Sequence, residues 1–275
     1  MGKTSITILL CICLLQESVF SLPLFEARGE GAESTGLGRC SVLLRGVAFS
    51  GVNNPALTGE TGLLTISWSF ARPYSVPGLV LGSLWASKGW KRTGFGAGFS
   101  FYGNDIYREE ALTISAGFRP LTSGFGASLS LKRVSIQNLG RRSFASIALG
   151  FMYSEMPYVA IGGVVRDLIK LGHHIKDEVR STGAISASIR FPSTNALLLV
   201  ECRGSSRYPP SISLGLETRL WRSVDLRMGM GKNPSIYSVG LGIHIAFFII
   251  DLGVEEHTVL GQTRSISITV IPSSI

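Results

Sequence analysis

Charge is scarce in this chain of 275 residues: 16% are Asp, Glu, Lys or Arg, against 45% hydrophobic. A disordered chain needs more charge and less apolar side chain, and an ordinary soluble domain is about one quarter charged. Disorder is excluded and a helical soluble enzyme is disfavoured. Long apolar runs are also missing. The best of them, Ile6 to Leu15, spans ten residues, where a membrane-spanning helix needs about twenty. Cysteine is limited to Cys11, Cys13, Cys40 and Cys202, too few for a disulfide scaffold or a Cys-rich zinc site.

Sites for chemistry are equally sparse. His173 and His174 are adjacent, so they share neither face of a strand nor ridge of a helix, and His244 and His257 have no ligand at metal spacing. The stretch Gly94 to Phe99, GFGAGF, is followed by no helix and does not read as a phosphate loop. No Ser-centred nucleophile motif occurs. The formal net charge of +8 comes from Lys and Arg scattered singly, not from a basic stripe, so nucleic acid is not an expected partner. No enzyme activity, metal or cofactor is expected.

At the N-terminus, Lys3, the apolar run and the small residues Val19 and Ser21 form a secretory signal with a cut before Leu22. Residues 1–21 are then removed. Cys40 and Cys202 remain in an oxidising compartment, where one disulfide or two separate thiols are both open.

From Leu63 onward, large apolar residues recur at every second position. Examples are Leu64, Ile66, Trp68 and Phe70; Leu112, Ile114, Ala116 and Phe118; and Tyr237, Val239, Leu241, Ile243 and Ile245. This is the period of a strand whose faces meet different surroundings. A soluble sandwich would carry Lys, Glu and Thr on the second face; here that face is mostly Gly, Ser and Ala. Large groups toward lipid and small groups toward a confined interior are the pattern of a spanning barrel. The fold expected is therefore all-β, a transmembrane antiparallel up-and-down β-barrel of about fourteen strands over residues 62–275. Residues 22–61 form an N-terminal segment ahead of the strands.

Charges on the inner face are Arg119, Lys132, Arg190, Glu217, Arg219, Asp225 and Arg227. Their mixed signs fit lumen ion pairs, and equally charges at strand ends near water. Odd-numbered connections, such as 103–108, 135–142 and 167–180, are longer than most even ones, which orients them outward and both termini toward the periplasm. Within 164–179, Val165, Leu168, Ile169 and Leu171 have the spacing of a short amphipathic helix, or of a strand extension. Trp68, Trp85, Trp90, Tyr102, Tyr107, Tyr153, Tyr158 and Trp221 lie near strand ends, where they suit a lipid-water boundary or ordinary packing.

The segment Gly46 to Gly59, GVAFSGVNNPALTG, resembles the Asn-Pro-Ala segment near the start of the long-chain fatty acid transporter (FadL) superfamily. The C-terminal third resembles its PorV/PorQ-type branch at Arg227, Gly229, Gly240 to Gly242, Asp251, Leu260, Gly261, Arg264 and Ile266. That resemblance implies a fourteen-strand outer-membrane barrel with Asn53, Asn54, Pro55 and Ala56 in a plug on the ligand path. A capping turn before the first strand is the plainer reading of the same four residues. The function implied is passage or retention of a small hydrophobic ligand, with outer-membrane lipid as surroundings. The alternative is a closed barrel serving a protein secretion system as a scaffold.

Overall fold

A computed structural model of the chain describes residues 29–47, 49–171, 181–205 and 209–271. The signal read at 1–21 and the pair His173 and His174 lie outside the described residues. Among the described residues, two short helices, α1 (Ala32–Gly36) and α2 (Ser50–Asn53), and a 3-10 turn (Pro55–Leu57) precede fourteen strands. These are β1 (Thr65–Arg72), β2 (Val80–Trp90), β3 (Thr93–Gly103), β4 (Tyr107–Phe118), β5 (Ser123–Ile136), β6 (Gly140–Tyr153) and β7 (Val159–Leu171). The second half comprises β8 (Thr182–Phe191), β9 (Ala196–Ser205), β10 (Ser211–Trp221), β11 (Val224–Lys232), β12 (Ile236–Ile245), β13 (Phe248–His257) and β14 (Gly261–Val270).

Each strand pairs antiparallel with its sequence neighbours, and β1 closes on β14 from Ile66 opposite Val270 to Arg72 opposite Arg264. Closure leaves no edge of unpaired N–H and C=O groups, which an apolar solvent could not satisfy. Alternation sends Phe99, Leu112 and Leu131, which lie at one level across β3, β4 and β5, to the outer surface. Ser100, Glu109, Ser128 and Thr113 take the inner one. An exposed apolar belt of this extent is stable only against lipid or a partner.

Four local features depart from the expected pattern. The connections at 103–108 and 135–142 shrink to three residues each, because Gly103 pairs with Arg108 and Ile136 with Gly140. Asn138 and Gly140, at φ 63° and 96°, allow the tight turn. The extra length of these hairpins is strand, so β5 and β6 run to 14 residues each and project beyond the belt at the odd-turn end. Where a helix was an option over 164–179, residues up to Leu171 are strand β7. Here Ile147 pairs with Ile169 but Leu149 with Val165. The intervening bulge, with Asp167 at φ 54°, puts Val165, Leu168 and Ile169 all outside and so imitates a helical period.

In β9 the alternation vanishes: Leu198 and Val200 face out while Leu197 and Leu199 are buried inside against an apolar cluster. Trp85 is no boundary residue either. It is 2% exposed, inside the barrel, and a Cβ at Gly96 or Gly98 would come within 2.5 Å of its ring. Those glycines make the room for it.

The belt and closed ladder predict heat-modifiable behaviour. Detergent-extracted protein run unheated on a denaturing gel is expected to migrate apart from the heated sample; one position regardless of heating would contradict the closed barrel.

Candidate functional site

Fourteen strands enclose more space than inward side chains fill; about eight is the number at which side chains alone suffice. The space is taken by residues 29–59, which run through the lumen. Such a segment has no strand partners, so its backbone groups must bond to the wall or to its own side chains. They do so through several small or acidic residues. Ala32 N donates to Ser267 Oγ (2.7 Å) and Gly38 N to Ser238 Oγ (2.8 Å). Ser41 N and Val42 N both donate to Glu201 Oε2, at 2.9 and 3.0 Å.

The Asn-Pro-Ala residues form the tightest part. Asn53 exchanges two hydrogen bonds with Glu30, accepting from its N–H at 2.8 Å and donating to its carbonyl at 3.1 Å, while Arg166 donates to the Asn53 carbonyl. The Asn54 side chain donates to Val42 O (3.1 Å) and Phe151 O (3.2 Å) and accepts from Ala56 N (3.1 Å). Pro55 lies on Gly126 and Asn54 on Gly150: added Cβ atoms there would stand 2.2 Å from the Pro55 carbonyl carbon and 2.1 Å from Asn54 Oδ1. Only glycine permits this approach. Arg119, in the β4–β5 turn, reaches in to donate to Gly59 O at 3.0 Å, and Thr58 meets Ser115 hydroxyl to hydroxyl at 2.6 Å.

Four of the remaining sequence candidates converge on the opposite side. Arg227 on β11, 2% exposed, donates to Glu217 of β10 (2.7 Å) and to Asp251 of β13 (2.5 Å). Asp225 accepts a two-pronged contact from Arg219, at 2.6 and 3.0 Å, and bonds His244 at 2.7 Å. Alternation made the inward direction of these residues readable, but their cross-strand register was not.

Glu33 of α1 sits against this network and was missed by sequence reasoning; nothing local distinguishes it. It is 1% exposed and its Oε2 has no hydrogen-bond partner. Burial, with the Asp251 carboxylate beside it, pushes the Glu33 pKa up to about 8 against the pull of Arg227. Glu201 was missed too, although its parity with Leu197 and Leu199 was a usable signal.

Arg190 takes no part in these clusters. It lies at the even-turn end in a basin of about 390 Å³ with Leu43, Arg45, Glu60 and Tyr158. Lys132 pairs with Asp167 at 2.6 Å and borders a second cavity of about 330 Å³, between the inner segment and β2 to β7. Its lining mixes apolar Val52, Leu79, Leu81 and Ala111 with polar Tyr107, Glu109, Lys132, Arg166 and Asp167. Cys40 is buried inside while Cys202 is exposed, and no disulfide joins them. Among the described residues no cluster of His, Cys, Asp or Glu could hold a metal ion.

No protein-family model and no curated protein sequence matches the chain. Solved structures do. The toluene transporter TbuX of Ralstonia pickettii is 11% identical with a TM-score of 0.67, over 90% of this chain and 98% of that one. The toluene transporter TodX of Pseudomonas putida gives 11% identity and a TM-score of 0.69, over 91% of this chain and 100% of that one. A Pseudomonas aeruginosa FadL homologue gives 10% and 0.65, over 92% and 99%. At such identities the likeness establishes the fold, a closed antiparallel fourteen-strand barrel. The PorV-type half of the resemblance rests on sequence motifs alone.

Two outcomes follow from the ion network. Replacing Arg227 by Met strands buried carboxylates and is expected to cost about 3–5 kcal/mol, read as the urea midpoint of the refolded barrel; adding Asp251→Leu and Glu217→Gln should recover most of it. A cost below about 1 kcal/mol would show that the network is not buried. Glu33 titrates near 4.5 when free and near 8 when docked. Docking of α1 is therefore fully favoured below pH 4.5 and loses about 1.4 kcal/mol per pH unit as pH rises toward 8. Amide exchange at 32–36, corrected for intrinsic rate, should accelerate over that window, and Glu33→Gln should abolish the dependence. Protection that grows with pH would contradict it.

Proposed function

We propose that the chain is an outer-membrane barrel, exported by its signal at 1–21, that passes small hydrophobic molecules around a plug formed by residues 29–59. The odd turns face outside and the even turns the periplasm. The observation that carries this reading is the cavity of about 330 Å³ left between the inner segment and the wall of β2 to β7. Its size suits a small aromatic or short aliphatic molecule, since a dry cavity of roughly 150 Å³ already accepts benzene. The basin around Arg190 lies at the opposite end, below the Asn-Pro-Ala residues. A molecule moving between the two must pass the contacts of Asn54, Pro55 and Thr58, so the plug has to shift. Two structural neighbours transport toluene, and this chain is proposed to serve solutes of that class.

The amphipathic lining refines the ligand. Val52, Leu79 and Leu81 offer apolar surface, while Tyr107 and Glu109 in the same lining favour a molecule that carries one hydrogen-bonding group.

Uptake decides the matter. In cells lacking their own channels for aromatic compounds, expression of the chain should raise uptake of labelled toluene and phenol several-fold. Leu81→Arg, which fills the cavity, should return uptake to background with heat-modifiability intact. Uptake equal to that of empty-vector cells would refute the transport reading and leave a closed scaffold.

A further inference from the structure

Outward-facing arginines gather at the odd-turn end of β4, β5 and β6. Their level follows from the ladder. Phe99, Leu112 and Leu131 form one outward rung of the apolar belt. The next rung is Phe101, Glu110, Arg133 and Ser143, and the one beyond it is Arg108, Ser135 and Arg141. Successive rungs are about 7 Å apart, so the arginines begin one step above the last apolar rung. A charged group at this height on the lipid side meets headgroups.

The three arginines outnumber the two carboxylates that line the cleft with them, Asp105 and Glu110, so the cleft keeps a net positive charge. Arg108 and Arg133 share the single carboxylate of Glu110, at 3.0 and 3.7 Å, and the two arginine side chains remain 54% exposed. Arg141 has no ion-pair or hydrogen-bond partner among the described residues. The surface is also concave. The tips of the β3–β4 and β5–β6 hairpins are tied by Gln137 N donating to Ile106 O at 2.8 Å. With these arginines, Ser135 and Asn138 they enclose a cleft of about 750 Å³. The Arg108 guanidinium lies over the Phe101 ring, 5.5 Å from its centre, which fixes it at the belt's upper edge.

A related excess occurs across the barrel seam, where Arg72 and Arg264 stand directly opposite each other on β1 and β14. Like charges directly opposite are unfavourable unless an anion lies between them.

We infer that the cleft framed by Arg108, Arg133 and Arg141 binds the phosphate of a phosphorylated lipid headgroup in the external leaflet. This rests on the barrel and orientation proposed above. Guanidinium groups bind phosphate through paired charge-assisted hydrogen bonds, and the exposed belt below holds the acyl chains of the same molecule. The site is separate from the lumen cavity and from its solutes.

The test uses the purified full chain in detergent with lipid A as probe, bound lipid being counted by native mass spectrometry. Bisphosphorylated lipid A should be retained. The combined variant Arg108→Gln, Arg133→Gln, Arg141→Gln should bind it about tenfold more weakly or worse, whereas Lys88→Gln with Arg222→Gln, at the other rim, should bind as the native chain does. Equal retention by the native chain and the triple variant would overturn the site. So would undiminished retention of dephosphorylated lipid A, or displacement of lipid by an equal concentration of inorganic phosphate. Loss restricted to the Lys88 and Arg222 variant would likewise overturn it, by reversing the orientation. Heat-modifiable migration is read on every sample: its absence from the native chain would be a failure of the barrel reading itself, and its persistence confines a negative result to the cleft.

Discussion

A segment of chain that crosses the inside of a barrel brings its own N–H and C=O groups into a place where strands cannot pair with them. Everything inside this molecule answers that constraint. Ser238, Ser267 and Glu201 on the wall accept from the segment's amides, and Asn53 and Asn54 satisfy its carbonyls and turns from within. The wall must also be thin where the segment lies close, hence Gly126 and Gly150 beneath Pro55 and Asn54. Smallness of the inner face is thus a packing requirement set by the segment, as much as a consequence of confinement.

The filling is uneven. On the side of β12 to β14, Arg39 of the inner segment pairs with Glu255 at 2.7 Å, and Ala32 N and Gly38 N are held by Ser267 and Ser238. Apolar residues do the same near β9, where Leu197 and Leu199 pack on Leu37, Val42 and Leu43. Beside β2 to β7 a cavity remains, with Lys132 and Asp167 paired at its edge. The proposed passage requires the contacts of Asn54 and Pro55 with Gly150 and Gly126 to yield while those to β12 to β14 hold.

Much of the barrel was legible because alternation is a local property. Leu112, Ile114 and Phe118 declare their face without reference to any other strand, and runs between turn signals count to about fourteen. What failed were the places where a second environment overwrote the period. Leu197 and Leu199 are apolar because a core lies inside as well as lipid outside; the bulge at Asp167 mimics a helix; Trp85 is inside because Gly96 and Gly98 on the neighbouring strand make room for it. The site was half legible. Asn53 to Ala56 stood out by composition and by family resemblance, and Glu217, Arg219, Asp225 and Arg227 by parity. Glu33 and Asp251 join them only through register and through the path of the inner segment, which no local pattern encodes.

Residues 29–47 and 49–59 lie inside the wall, and the proposed passage requires their Asn-Pro-Ala end to move. The Thr58 and Ser115 hydroxyls, 2.6 Å apart, give it a direct test. In a Cys202→Ser background, Thr58→Cys with Ser115→Cys should form a disulfide on mild oxidation, since two side chains this close place their Cβ atoms within bridging range. The oxidised barrel should lose solute uptake and regain it on reduction. Two thiols that stay free and fully reactive toward maleimide in the folded barrel would contradict the account.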